Sequence, residues 1–191
     1  MNVIAINGSP RAGGNTARLL QTVCDVLEGE GIATETFHLG GQAVRGCNGC
    51  YQCVENKDGL CVLPDDAVTA CLEKMKAADG MLLGSPTYFS DVTAEMKALI
   101  DRAGFVARVN GDLFRRKVGA AVVAVRRGGA IHAFDTLNHF FLISGMIVPG
   151  SIYWNLGIGL KKGEVEGDEE GLQTMTALGE NMAWVLKRLH A

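Results

Sequence analysis

Four of the six cysteines lie in one short run, Cys47-x2-Cys50-x2-Cys53-x7-Cys61. Thiolates prefer soft metals, so this composition points to zinc or to an iron–sulfur cluster. Structural zinc more often uses two separated C-x2-C pairs, whereas three cysteines at this spacing, with a fourth after a turn, can surround a [4Fe–4S] cluster. The spacing therefore favours a cluster over zinc, and free thiols stay open as the alternative.

A glycine-rich loop occupies residues 8–16, directly after an apolar, strand-like segment. Its glycines let backbone N–H groups converge, and the start of the following helix adds a partial positive charge. Polar or cationic side chains come from Ser9, Arg11, Asn15 and Thr16. The loop lacks the lysine of a Walker A motif, so it suits a terminal monophosphate better than a metal-bound triphosphate. A plain turn with Asn15 as the helix cap is the structural alternative.

Two later loops contain residues that suit a flat, electron-rich ligand. They comprise Pro86, Thr87, Tyr88 and Phe89 in one loop, and Arg126, Gly128 and Gly129 in the other. A planar ligand could lie against the two aromatic side chains, although packing onto the next helix would explain them as well. Arginine beside glycine suits a ring or a phosphate, and a solvated turn is the alternative.

Strand-like and helix-like segments alternate along the chain and must position these loops. The predicted strands are Asn2–Asn7, Ile32–Leu39, Gly80–Gly84, Lys117–Val125 and Met146–Trp154. The predicted helices are Asn15–Gly29, one that starts at Pro64, Asp65 and Asp66 and runs to about Asp79, Thr93–Val109, Ala130–Ser144, and a last one marked by apolar residues from Leu172 to Leu189. Strict alternation predicts an α/β fold, a doubly wound parallel sheet with helices on both faces.

The predicted sheet brings the chemistry-bearing loops to one place, because ligands of doubly wound sheets bind outside the carboxyl ends of the strands. The connection 40–63, which contains all four clustered cysteines, follows the second strand and leaves the same edge. An irregular connection of this length usually has a functional reason. Its position suggests electronic coupling between a cluster and whatever the other loops bind.

Length and charge exclude several classes of protein. The 191 residues fit one domain, expected over 1–191 with a Cys-rich insertion at 40–63. A net charge of −3 and a pI near 5.8 argue against a nucleic-acid partner. The longest apolar run, Ala120–Val125, is too short to span a membrane, and the N-terminal residues do not resemble a signal peptide. We therefore expect a cytoplasmic location, where reduced thiols are the rule.

Taken together, Gly8–Thr16, Pro86–Phe89 and Gly128-Gly129 resemble the FMN-binding loops of the flavodoxin-like NAD(P)H-dependent FMN reductases. The resemblance implies a five-stranded sheet of order 2-1-3-4-5, with the FMN phosphate in the first loop. It assigns phosphate binding to Ser9, Arg11, Asn15 and Thr16. It places the isoalloxazine against Pro86, Thr87, Tyr88 and Phe89, with Arg126, Gly128 and Gly129 on its other side.

The cysteine run resembles that of the iron–sulfur flavoproteins, a branch of the same superfamily, and this resemblance implies that Cys47, Cys50, Cys53 and Cys61 hold a [4Fe–4S] cluster. The expected function is an FMN-dependent oxidoreductase that moves electrons from NAD(P)H through FMN to a flavin, a quinone or another small acceptor. The alternative is an electron-transfer module between a ferredoxin-like donor, the cluster and FMN. Since the flavin does the redox chemistry, no catalytic side chain is named. A homo-oligomer is a further expectation from the family.

Overall fold

The computed structural model describes residues 1–63 and 67–191 and contains a five-stranded parallel sheet of order β2-β1-β3-β4-β5. Its strands are β1 (Asn2–Asn7), β2 (Ala33–His38), β3 (Gly80–Pro86), β4 (Val118–Val125) and β5 (Leu156–Ile158). The predicted strand order 2-1-3-4-5 is therefore confirmed. The order reverses between β1 and β3, and this is the switch point where doubly wound sheets bind ligands.

Six α-helices and a short 3-10 turn connect and cover the strands in the described part of the chain. The helices are α1 (Asn15–Gly29), α2 (Gln52–Asn56), α3 (Ala67–Ala77), α4 (Ala94–Val109), α5 (Ala130–Ile143) and α6 (Glu169–Leu189), and the 3-10 turn is Glu164–Gly167. The predicted start of a helix at Pro64, Asp65 and Asp66 lies outside the described residues. Within residues 1–63 and 67–191, no helix is both long and apolar enough to cross a membrane.

Side-chain alternation along the strands produces one apolar core on each face of the sheet. In β1, Ile4 and Ile6 belong to the core beneath α3, α4 and α5, whereas Val3 and Ala5 belong to the core beneath α1 and α6. All eight residues of β4 are buried. A strand buried on both faces is typical of a parallel sheet that carries helices on both sides, as predicted.

Close contact between α1 and the sheet depends on a glycine of β3. A Cβ atom at Gly84 would lie 2.6 Å from Cδ1 of Leu20 in α1. A larger residue would overlap the Leu20 side chain in this densely packed interior, so the glycine lets α1 lie close to the switch point. The N-terminus of α1 is thereby fixed beside the ends of β1 and β3.

The predicted fifth strand, Met146–Trp154, is wrong. In the structure β5 is Leu156–Ile158, and Ile147 forms only an isolated bridge with Val118. The apolar residues after Met146 fit a strand pattern, but Pro149 has no backbone N–H with which to continue a ladder. The chain leaves the sheet there and rejoins β4 nearer its carboxyl end.

Candidate functional site

The glycine-rich loop lies against the end of β3 and the start of α4. The Gly8 amide donates a hydrogen bond to the Gly84 carbonyl at 2.8 Å, and the Thr93 hydroxyl donates to the Gly8 carbonyl at 2.9 Å. Thr93 also caps α4 by accepting a hydrogen bond from the Met96 amide. The buried Thr93 hydroxyl therefore fixes both the first loop and the start of α4, the helix that follows the second loop.

The first loop is folded by its own hydrogen bonds into a concave turn. Ser9 N donates to the Asn7 side chain at 3.0 Å, Arg11 N donates to Ser9 Oγ at 3.2 Å, and Gly14 N donates to Arg11 O at 2.9 Å. Among the described residues, no side chain caps the N-terminus of α1. The N–H groups of the first helical turn have no partner within the helix, and they can bind an anion.

The end of β2 supports this loop from behind. The Nε2 atom of His38 lies 2.8 Å from the Ser9 carbonyl oxygen. At Gly40 a Cβ atom would lie 2.2 Å from the Ser9 backbone carbon, so only glycine fits there. The loop backbone is thus held in place by contacts that no short-range sequence pattern indicates.

Two of the four residues predicted to bind phosphate contact the connection after β5. The Asn15 side chain donates to the Lys161 carbonyl at 3.0 Å and accepts from the Gly163 amide at 2.9 Å. The Arg11 guanidinium donates to the Leu160 carbonyl at 3.3 Å. The other two, Ser9 and Thr16, are buried within the first loop and α1.

Lys162 is a candidate binding residue that sequence reasoning missed. A Cβ atom built on Gly13 would lie 3.4 Å from its Nζ atom, so the ammonium group stands beside the first loop. The signal in the sequence is the pair Lys161-Lys162 shortly after the last strand. The hydrogen bonds of Asn15 and Arg11 explain why this pair reaches the loop from more than 140 positions away.

The second loop turns through two residues in the left-handed region. The backbone groups of Tyr88 and Asp91 exchange hydrogen bonds of 2.8 and 3.0 Å, while Phe89 and Ser90 have φ values of 46° and 66°. A positive φ is uncommon for a bulky aromatic residue, and such strain is often found at ligand sites. The turn leaves the rings of Tyr88 and Phe89 exposed at the edge of the sheet.

Thr87 carries a polar group that lacks a partner. Among the described residues, its Oγ1 atom is buried and makes no hydrogen bond. A buried hydroxyl without a partner costs about 1–3 kcal/mol, so such atoms are rare unless a ligand or water completes them. The backbone amide of the same residue donates to the Ala124 carbonyl at 2.9 Å, which holds the loop against β4.

The third loop adjoins the second through a glycine. Gly129 precedes α5 with a φ of 84°, and a Cβ atom there would lie 2.8 Å from Oγ of Ser90. Arg126 and Gly128 of this loop are exposed. The structure thus brings the three predicted loops together at the carboxyl edge, with the second loop between the other two.

All four thiols of the cysteine run line one cavity, together with residues of α4 that include Arg102 and Phe105. Burial raises the pKa of the Cys53 thiol, and the neighbouring thiols of Cys61, Cys50 and Cys47 raise it further. In the described ranges, no group of three or more His, Cys, Asp or Glu side chains has the arrangement of a site for a single metal ion. The donor set is one of soft sulfur ligands, which is the chemistry of an iron–sulfur cluster.

The cysteine loop begins at the carboxyl edge but runs down the side of the molecule. The Leu39 and Gly40 amides both donate to the Asn7 carbonyl, at 2.9 and 3.1 Å. The cavity of the four thiols, however, lies against Arg102, eight residues into α4. At 1.5 Å per residue, this is about 12 Å from the helix start. The loop leaves the edge as predicted, but its thiols lie along α4.

The contacts that hold the cysteine loop include three with α4 and its C-terminal cap, Asn110. The Arg102 Nε–H donates to Sγ of Cys61 at 3.3 Å. The Asn110 side chain donates to the Cys53 carbonyl at 3.2 Å. The Tyr51 ring meets the Phe105 ring edge to face, with centroids 5.8 Å apart. Sequence reasoning did not single out Arg102 or Asn110, because their partners are more than 40 positions away.

Comparison with known proteins gives consistent matches over most of the chain. The family model of the NADPH-dependent FMN reductases matches residues 1–161. An iron–sulfur flavoprotein of Methanocaldococcus jannaschii is 41% identical over 194 residues, with 98% of each chain covered. An iron–sulfur flavoprotein of Methanosarcina thermophila is 32% identical over 195 residues, covering 98% of this chain and 96% of that one.

Structural similarity extends to flavodoxins at low sequence identity. The crystal structure of a flavodoxin, WrbA-like protein from Agrobacterium tumefaciens superposes with a TM-score of 0.70 at 15% identity, over 98% of both chains. This likeness confirms the flavodoxin-like fold. The family model and the two relatives show that the chain belongs to the NADPH-dependent FMN reductase family, in its iron–sulfur flavoprotein branch.

Proposed function

We propose that the chain is an FMN-dependent oxidoreductase whose flavin lies across the three loops at the carboxyl edge of the sheet. The observation that carries this proposal is that two hydrogen-bonding groups at that edge have no partner among the described side chains. One is the N-terminus of α1, which no described side chain caps, and the other is the buried Thr87 hydroxyl. A phosphate suits the first position, and a heteroaromatic ring edge suits the second.

The first loop would bind the FMN phosphate through its backbone. The N–H groups of the first turn of α1 provide directed donors, and the Ser9 and Thr16 hydroxyls lie within the same buried turn. The Arg11 guanidinium and the Lys162 ammonium supply positive charge at its rim. In this arrangement Asn15 acts by fixing the connection after β5 against the loop.

The second and third loops would hold the isoalloxazine ring. Pro86 and Thr87 lie where β3 ends, the rings of Tyr88 and Phe89 provide flat apolar surface, and Thr87 Oγ1 can donate to a ring heteroatom. The exposed Arg126 and Gly128 and the half-buried Gly129 would border the other side. Bound FMN supplies chemistry that side chains lack, because it exchanges electrons with a donor in pairs or singly. NAD(P)H is the proposed donor, and a flavin, a quinone or another small molecule the acceptor.

The four thiols favour a second candidate function, electron transfer between a ferredoxin-like protein, a [4Fe–4S] cluster and FMN. Cys47, Cys50, Cys53 and Cys61 share one cavity, and both described relatives bear the name iron–sulfur flavoprotein. These four residues would hold the cluster, which would supply one-electron transfer. The chain itself contributes a loop that is already hydrogen-bonded to Arg102 at Cys61 and to Asn110 at Cys53.

Exposed aromatic residues, two of which (Tyr88 and Phe89) lie at the same edge, support the proposal of a homo-oligomer. Tyr88, Phe89, Tyr153 and Trp154 are each at least half exposed. Aromatic side chains are enriched where protein surfaces meet. A second copy of the chain covering this edge would also shield the flavin from water. Light scattering of the FMN-loaded protein should give a mass at least twice that of one chain.

Anaerobic reduction of the FMN-loaded chain separates the two functions. The chain is mixed with NADPH, NADH or a reduced ferredoxin, and the loss of flavin absorbance is followed for the wild type and for Cys50→Ser. The reductase account predicts fast reduction by a nicotinamide in both proteins. Reduction by ferredoxin alone, lost in Cys50→Ser, would favour the electron-transfer account. If no donor reduces the bound flavin, both accounts are wrong.

A further inference from the structure

Arg102 differs from the other buried residues of α4. It is only 1% exposed, whereas the neighbouring buried positions of the helix are apolar and include Leu99, Ala103 and Val106. Removing a guanidinium from water is costly unless its donors find acceptors. An apolar residue would fill the position without that cost, so the donors of Arg102 are the feature to explain.

Among the described residues, Arg102 has acceptors on both sides of the cysteine run. Nε donates to Sγ of Cys61 at 3.3 Å, Nη1 donates to the Arg45 carbonyl at 3.1 Å, and Nη2 donates to the Leu63 carbonyl at 3.4 Å. Arg45 precedes the first clustered cysteine, and Leu63 follows the last. One planar group therefore joins both ends of the cysteine loop and also touches one of its thiols.

We propose that Arg102 is a positioning residue for Cys61 and that its N–H···S hydrogen bond raises the reduction potential of the cluster. The inference rests on the proposed [4Fe–4S] cluster. Hydrogen bonds to ligand sulfurs are among the factors that set such potentials. Adding an electron increases the negative charge on the ligand sulfurs, so a donor at Cys61 stabilises the reduced state more than the oxidised state.

Asn110, the C-terminal cap of the same helix, provides a matched control. Its side chain donates to the Cys53 carbonyl at 3.2 Å and accepts from the Gly59 amide at 3.0 Å. It therefore fastens the same loop through backbone groups, and none of these contacts involves a sulfur atom. Asn110→Ala should loosen the loop without changing the hydrogen bond at Cys61.

The test is an anaerobic redox titration of the reconstituted protein, with the reduced cluster followed by electron paramagnetic resonance. Iron and acid-labile sulfide are assayed on each sample, for the wild type, Arg102→Met, Arg102→Lys and Asn110→Ala. At the wild-type midpoint potential, the ratio of reduced to oxidised cluster should fall about tenfold in Arg102→Met, which is a shift of 59 mV for a one-electron couple. The midpoint potential of Arg102→Lys, which keeps a donor, should lie between those of the wild type and Arg102→Met. The midpoint potential of Asn110→Ala should match that of the wild type.

The possible results separate this inference from the function on which it rests. A wild-type chain that binds no iron contradicts the proposed cluster itself. A loaded Arg102→Met protein with an unchanged midpoint, or an equal shift in Asn110→Ala, overturns the role of Arg102 alone. If Arg102→Met binds no iron while Asn110→Ala does, the contact with Cys61 is required to hold the ligand, which supports the positioning role. Loss of iron in all three variants would overturn it, because any loosening of the loop would then suffice.

Discussion

The side chain of Asn15 accepts a hydrogen bond of 2.9 Å from the amide of Gly163 and thereby joins the start of α1 to the connection after β5. The Nδ2 atom of the same Asn15 side chain donates a hydrogen bond of 3.0 Å to the Lys161 carbonyl. These bonds place residues 161–163, which are distant in the sequence, along one side of the predicted phosphate site. They also bring the ammonium group of Lys162 beside Gly13.

Replacing Asn15 with alanine should weaken FMN binding indirectly, because Asn15 holds the connection after β5 against the first loop. Loss of the two hydrogen bonds leaves residues 160–163 attached to the loop only more weakly, through Arg11, and we expect the FMN dissociation constant to rise about tenfold, or about 1.4 kcal/mol. Quenching of FMN fluorescence on titration measures it. The matched control is Asn181→Ala, which removes a hydrogen bond of 2.9 Å to Gly150 elsewhere in the molecule. Equal affinities in the two variants would contradict the assigned role.

Thr87→Val should have opposite effects on the free and the FMN-bound protein. The free chain loses a buried hydroxyl that lacks a partner among the described residues, so its free energy of unfolding should stay the same or rise by about 1 kcal/mol. The bound protein loses a hydrogen bond to the flavin, so the dissociation constant should rise about fivefold to tenfold. Urea denaturation and FMN titration measure the two effects.

The control for this pair of effects is Thr87→Ser, which keeps the hydroxyl and should bind FMN nearly as the wild type does. If Thr87→Val destabilises the free chain and leaves the FMN affinity unchanged, the hydroxyl serves the fold and does not contact the flavin.

Adjacent glycines of the third loop should respond differently to alanine. Gly129 has a φ of 84°, and Ser90 leaves no room for a Cβ atom there. A Cβ atom at Gly128 would have no other atom within 4 Å. Gly129→Ala should lower the free energy of unfolding by about 1–3 kcal/mol, because both backbone strain and a steric overlap oppose it. Gly128→Ala should change it by less than about 0.5 kcal/mol. Similar effects in both variants, measured by urea denaturation, would contradict the geometry of the loop.

The stability of the metal-free chain should fall at alkaline pH because of a buried thiol. Burial raises the pKa of Cys24 from 9.0 to about 11. The unfolded chain therefore loses this proton at a lower pH than the folded chain does. The resulting stabilisation is fully present below pH 9 and is lost as the pH rises from 9 to 11, by up to about 2–3 kcal/mol.

Urea denaturation across this pH range, for the wild type and Cys24→Ala, measures the contribution of Cys24. The variant should lose less stability between pH 9 and 11, because it has no thiol at this position to ionise. Cys47→Ala, at an exposed cysteine, should follow the wild type. Parallel curves for the wild type and Cys24→Ala would show that another group dominates the alkaline transition.

Four of the five strands can be predicted from local sequence patterns, whereas the strand order follows from the family resemblance. Asn2–Asn7 and Asn15–Gly29 were predicted with the bounds that the structure has. The last strand was not, because the apolar residues before Pro149 satisfy the same pattern. Only pairing with β4 distinguishes Leu156–Ile158 from them.

The cysteine loop could be recognised from spacing, but its shape could not. Helix α2 was missed because it is short and is flanked by Tyr51 and Lys57, both left-handed, and neither residue type indicates such a conformation. The attachment of Cys61 to Arg102 and of Cys53 to Asn110 links positions more than 40 residues apart. Such pairs follow from the packing of α4 in the tertiary structure, and no local pattern encodes them.

The most direct measurement is an absorbance spectrum of protein purified without oxygen and supplied with FMN, with bound flavin, iron and acid-labile sulfide assayed on the same sample. The account predicts one FMN per chain, flavin bands over a broad shoulder, and about four iron atoms per chain, as a [4Fe–4S] cluster requires. Flavin without iron would restrict the function to that of the reductase. A chain that binds no FMN even when it is added would contradict the central claim that the three loops at the sheet edge form a flavin site.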